Sequence, residues 1–75
     1  MPPRRTNIQN KIKLLREQNG FTQQDLAEKV SVSRQTIISL ESGRYNPSIF
    51  LAYHIARVFN LTIEDVFLFE EKNKE

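Results

Sequence analysis

Apolar residues recur at helical spacing along most of the chain, and polar caps divide them into short segments. Ile8, Ile12 and Leu15 fall at i, i+4 and i+7, which predicts a first helix ending near Asn19-Gly20, where glycine supplies a left-handed cap. Thr22 starts a second helix; Asp25, three residues on, completes a capping-box pattern, and Leu26, Ala27 and Val30 form its buried face. Ser33 caps a third helix carrying Ile37 and Leu40, which stops at Gly43. Only Val30 to Val32 separate the second and third helices, so their joint must be sharp. After the turn at Asn46-Pro47, Ser48 caps a fourth helix with Ile49, Ala52, Ile55, Ala56 and Phe59, closed by Asn60. Thr62 opens a short fifth helix with Ile63, Val66 and Phe67, and Phe67-Leu68-Phe69 ends it or forms a short strand. The expected fold is all-α, a compact bundle of about five helices with a possible short C-terminal strand.

Length and composition narrow the possibilities. A chain of 75 residues fits one small domain, and 39% hydrophobic with 27% charged residues is ordinary globular usage. We divide it into a flexible basic N-terminal arm (residues 1–6), a domain (7–70) and a polar tail (71–75). No apolar run approaches the ~20 residues of a membrane span, and no apolar segment follows the basic start. With no cysteine and a single histidine, His54, the chain offers no disulfide, thiol nucleophile or zinc cluster. Serines sit at caps instead of beside a base, and no glycine-rich phosphate loop occurs. The expectation is a cytoplasmic protein that is not an enzyme and uses no metal, cofactor or small-molecule effector.

The net charge of +2 conceals an asymmetry that changes the picture. Residues 1–44 hold eight bases against four acids, whereas residues 45–75 hold three against five. A basic half suits a polyanion, and an acidic half suits another task such as self-association.

Two short helices joined tightly, the second capped by serine and rich in polar side chains, are what a helix-turn-helix reader of the DNA major groove requires. With Arg34 at zero and roughly 100° per residue, Gln35 falls near 100°, Ile38 near 40° and Ser39 near 140°, against 300° for Ile37 and 240° for Leu40. One side of this helix is apolar and the other is free to meet base edges. Arginine bonds guanine O6 and N7 in bidentate fashion, glutamine does the same with adenine N6 and N7, and an isoleucine can touch a thymine methyl. Arg34, Gln35, Ile38 and Ser39 are therefore the candidate base contacts. The competing reading of Arg34 and Gln35 is a solvated helix face.

The run from Phe21 to Gly43, FTQQDLAEKVSVSRQTIISLESG, resembles the Cro/phage-repressor-type (Xre-like) helix-turn-helix family. The likeness continues through Asn46-Pro47-Ser48 to Phe67, roughly 60 of the 75 residues. It implies a lambda-repressor-like DNA-binding domain, with the motif at about residues 22–42, that serves as a sequence-specific transcriptional regulator. The expected form is a repressor, nucleoid-associated, that reads a palindromic operator in double-stranded DNA as a homodimer. The resemblance also maps a phosphate role onto Gln23, with Thr22 beside it and Arg44 and Asn46 in the loop after the reader; Ser33 and Thr36 complete the candidate phosphate contacts. Thr22 serves equally as a cap, and Arg4 and Arg5 are either an arm on the DNA or a solvated tail. Arg16 and Glu41 match a pair that forms a salt bridge in the family. Ser31 stands where the family usually has glycine, and a positive φ there would cost serine about 1 kcal/mol.

Val66, Phe67, Leu68 and Phe69 are four consecutive apolar residues that cannot all face one small core, which makes them the expected dimer interface. The opposing reading folds this segment back as a strand against the N-terminus. Two other functions remain open: an antitoxin or phage-switch protein that binds both DNA and a partner protein, and an interaction adaptor that has lost DNA binding.

Overall fold

The computed structural model describes residues 8–69, with the side chains of Ile8 and Phe69 set aside. The basic arm with Arg4 and Arg5 and the polar tail lie outside the described residues. The elements are β1 (Ile8–Asn10), α1 (Ile12–Gln18), α2 (Gln23–Lys29), α3 (Arg34–Glu41), α4 (Ile49–Val58), α5 (Ile63–Val66) and β2 (Phe67–Phe69).

Four helices begin in the same way. Thr22, Ser33, Ser48 and Thr62 each hold extended backbone, and each side-chain oxygen accepts from the amide three residues on. Thr22–Asp25 and Thr62–Asp65 complete reciprocal capping boxes, satisfying two amides that the helix itself leaves free. Both aspartates are held below their usual pKa by the amide and hydroxyl of the capping threonine.

The ends are as uniform as the starts. Gly20 (φ 73°), Ser31 (φ 62°), Gly43 (φ 80°) and Asn60 (φ 59°) all lie in the left-handed region, directly after the C-caps of α1 to α4. At each end two amides bond back in the crossed pattern of a Schellman motif. After α2, for example, Ser31 N–H reaches Glu28 O at 3.3 Å and Val32 N–H reaches Ala27 O at 3.0 Å. These four reversals fold the apolar faces inward around Ile12, Leu26, Ala27, Val30, Ile37, Leu40, Ala52, Ile55, Ala56, Val66 and Phe67. Leu15 and Phe59 pack at the margin of this core.

Three sequence expectations change. Ile8 belongs to β1 and not to α1, which starts at Ile12. The strand forms because β2 folds back antiparallel along it, pairing Ile8 with Phe69, Gln9 with Leu68 and Asn10 with Phe67. The Lys11 amide extends the join to Val66 O at 2.8 Å. The same fold-back removes Val66 (0% exposed) and Phe67 (2%) from the expected dimer interface, because both are spent on the core. Strand alternation turns Leu68 outward, at 39% exposure, after inward Phe67, and the Phe69 side chain lies outside the described residues. Ile49, grouped with the apolar face of α4, is instead 79% exposed at the helix's first turn.

Candidate nucleic-acid interface

The tight joint between α2 and α3 is set by Ser31, whose positive φ reverses the chain within the Schellman motif. Ser33 then fixes the start of α3: its hydroxyl accepts from Thr36 N–H at 3.2 Å and lies 3.0 Å from the Thr36 hydroxyl. Ile37 and Leu40 are fully buried, which locks the rotation of α3 about its axis. Arg34 and Gln35 are consequently exposed in its first turn, with Ile38 and Ser39 half-buried beyond them.

The electrostatics of that turn are informative. The first turns of α2 and α5 carry acids, Asp25 and then Glu64 with Asp65, as the positive end of a helix dipole favours. The first turn of α3 has no acid and carries Arg34 instead. A cation there costs the fold a few tenths of a kcal/mol in place of a similar gain. The first turns of α1 and α4 also lack acids, and α1 carries Lys13 there, so what sets α3 apart is that Arg34 stands beside exposed Gln35 on a face turned away from the core.

A buried polar cluster ties α3 to the rest of the domain. Arg16 Nε donates to Glu41 Oε2 at 2.7 Å, Nη2 to Glu41 Oε1 at 3.3 Å and Nη1 to the Phe21 carbonyl at 2.9 Å. The two side chains are 10% and 7% exposed, and the bond to Glu41 raises the Arg16 pKa above its ordinary value. Gln23 Nε2 donates to the same Glu41 Oε1 at 3.2 Å. That amide nitrogen has a second N–H, which makes no hydrogen bond among the described residues, and Gln23 itself is half-buried at the start of α2. Thr22 caps α2: its hydroxyl oxygen accepts from Asp25 N–H at 2.9 Å, and its own amide donates to Asp25 Oδ2 at 2.8 Å. Arg44 and Asn46 are exposed in the loop between α3 and α4.

One participant has no counterpart in the sequence reading. Asn10 Nδ2 donates to the Leu40 carbonyl at 2.8 Å, while its Oδ1 accepts from Ile12 N–H at 3.1 Å. A single amide thus fastens the last turn of α3 to the first turn of α1. Its partner is 30 positions away, and no local pattern marks it.

The sequence profile of the helix-turn-helix family matches residues 12–66. The chain belongs to that family. Its members are Xre/Cro-like DNA-binding transcriptional regulators and not a class of enzymes. An uncharacterised helix-turn-helix transcriptional regulator of Archaeoglobus fulgidus is 52% identical over 65 residues, spanning 87% of this chain and 93% of that one. The structure of SinR, a master regulator for biofilm formation solved in complex with DNA, superimposes with a TM-score of 0.66. It is 29% identical and covers 72% of this chain and 87% of that one. Antitoxin HipB of Escherichia coli is 34% identical over 58 residues, 77% of this chain and 62% of HipB. The matched span runs from the start of α1 to the end of α5, with the tight α2–α3 joint inside it. Among the described residues no helix is long and apolar enough to cross a membrane, and no group of three acids or histidines is placed to hold a metal ion.

Proposed function

We propose that this helix-turn-helix chain is a transcriptional repressor that reads a palindromic operator as a homodimer, with the N-terminal half of α3 in the major groove. The observation that carries the reading is Arg34: exposed, at the positive end of a helix, beside exposed Gln35 and without an acid in the turn. Arg34 and Gln35 read bases, with Ile38 against a thymine methyl and Ser39 at the margin of the groove face. Gln23, Arg44 and Asn46 hold phosphates, joined by the helix-start groups at Thr22, Ser33 and Thr36. Repression follows from occupancy, because bound protein excludes other proteins from the same DNA.

Two classes of variant separate these roles in filter binding. Arg34→Ala or Gln35→Ala costs about 1–3 kcal/mol on the preferred site and relaxes discrimination at one base pair. Gln23→Ala or Arg44→Ala weakens binding to all duplexes alike. An Arg34→Ala protein with unchanged site preference would remove Arg34 from readout, and no binding to any duplex at low salt would reject the DNA-binding reading altogether.

The likeness to HipB supports a second reading, in which the same fold also neutralises a partner protein. Rescue of growth from a toxic product of an adjacent gene, by the chain and equally by its Arg34→Ala variant, would favour it.

A further inference from the structure

We infer that two copies of the chain meet through the exposed face at the start of α4, formed by Ile49, Phe50 and Tyr53 with Tyr45 from the preceding loop. The inference rests on the homodimer reading and deepens it by relocating the interface from the C-terminal strand.

Three observations support a second copy as the occupant. The first is exposure: Ile49 is 79%, Phe50 71%, Tyr53 51% and Tyr45 44% exposed, all within nine residues of sequence. On α4 the aromatic rings adjoin one another, with Phe50 and His54 centroids 5.1 Å apart and Tyr53 and His54 6.0 Å apart. The other large apolar side chains exposed in the described structure, Leu14 and Leu68, belong to α1 and β2.

The second is charge. From Tyr45 to Ala56 the sequence contains no Asp, Glu, Lys or Arg, in a chain that is 27% charged. Across a two-fold axis residue i meets j and j meets i, and only residues beside the axis meet their own copies. With Ile49, the most exposed of the four, beside the axis, a charge there meets a like charge. The four side chains carry no charge, and Lys29 of α2 stands only at the margin, across the groove lined by Phe50 and His54. A face with an uncharged centre suits that symmetry, whereas a groove for an acidic or basic partner would carry the opposite sign at its centre.

The third is area. The four side chains present on the order of 500 Å² of mostly apolar surface per protomer, so a symmetric pair buries roughly 1,000 Å² before flanking atoms are counted, close to the lower bound of a specific interface. The patch also follows directly on Arg44 and Asn46, so a partner seated on it adjoins the loop proposed to lie on the DNA backbone.

Sedimentation equilibrium of the full chain and its variants tests the assignment, with circular dichroism to verify helix content. Ile49→Lys and Ile49→Glu should each stay folded, since the site is open to solvent, and raise the dimer dissociation constant on the order of a hundredfold, because one substitution alters both protomers. Mixing the two variants should restore the dimer by placing opposite charges across the axis. Leu68→Glu, on β2, should leave the wild-type dissociation constant unchanged. A wild-type dimer that survives both Ile49 substitutions, that is lost in Leu68→Glu, or that the mixture fails to restore would overturn the α4 interface and leave the homodimer standing. A wild-type chain that is monomeric both free and on DNA would overturn the homodimer itself and the interface with it.

Discussion

Ser31 is the one residue of the α2–α3 joint in a conformation its side chain disfavours, and replacing it with glycine isolates that cost. Its φ of 62° places Cβ close to the following carbonyl, a strain of about 1–2 kcal/mol for residues other than glycine. Glycine relieves the strain but loses about 0.5–1 kcal/mol through its greater freedom in the unfolded chain. The balance favours Ser31→Gly by about 0.5–1 kcal/mol, since the side chain is exposed and leaves no cavity. For a domain of this size the midpoint of thermal unfolding should rise by about 2–8 °C. The two Schellman bonds, Ser31 N–H to Glu28 O and Val32 N–H to Ala27 O, are made by backbone and survive the change. The angle of α3, and therefore affinity for a cognate duplex, should stay as it is. Ser31→Ala provides the control: it keeps the φ cost and removes only an exposed hydroxyl, so its stability should lie within about 0.5 kcal/mol of wild type. Urea unfolding of the three proteins measures the difference. A glycine variant less stable than wild type, or an alanine variant that gains as much, would refute the argument from backbone strain.

Two further perturbations probe the supports of α3. Glu41→Ala leaves the Arg16 guanidinium shielded with only the Phe21 carbonyl, and should cost about 3 kcal/mol in urea unfolding; the paired change Arg16→Met, Glu41→Leu should recover most of that, and a double variant as unstable as the single would show that the lost charge pairing is not the cause. Acid should act through the capping boxes. Asp25 and Asp65 have folded pKa values below their ordinary ones, so their contribution is complete above an unfolded value of about 3.9 and disappears as pH falls through the lower folded value. Stability measured between pH 6 and 2.5 should therefore decline below about pH 4, and more shallowly in Asp25→Asn, Asp65→Asn; an equally steep decline in that variant would assign the acid sensitivity elsewhere.

How legible the fold was depends on whether each signal is local. Thr22, Ser33, Ser48 and Thr62 announce their helices because a hydroxyl cap acts within three residues. Gly20, Gly43 and Asn60 announce helix ends because few residues adopt positive φ. The wheel through α3 correctly separates buried Ile37 and Leu40 from exposed Arg34 and Gln35, since four-residue periodicity is enough to orient a helix against a core. What escaped is long-range. β1 is three residues long, too short to show alternation, and exists only because β2 returns some 60 positions later. Ile8 mimicked a helical position for that reason. The run from Val66 to Phe69 looked exposed because four apolar residues exceed one face, but the change from helix to strand at Phe67 sends Val66 and Phe67 inward and Leu68 out. The Asn10 bond to Leu40 and the Gln23 bond to Glu41 are likewise products of tertiary assembly, with no trace in neighbouring residues.

The most direct test of the central claim is selection of bound sites from random duplex DNA by the wild-type chain, followed by footprinting and stoichiometry on the winning sequence. The account predicts a near-palindrome with half-site centres one helical turn, ~34 Å, apart, two chains per duplex and protection in the major groove of each half. A single asymmetric half-site protected by one chain, or no sequence enriched at all, would contradict it.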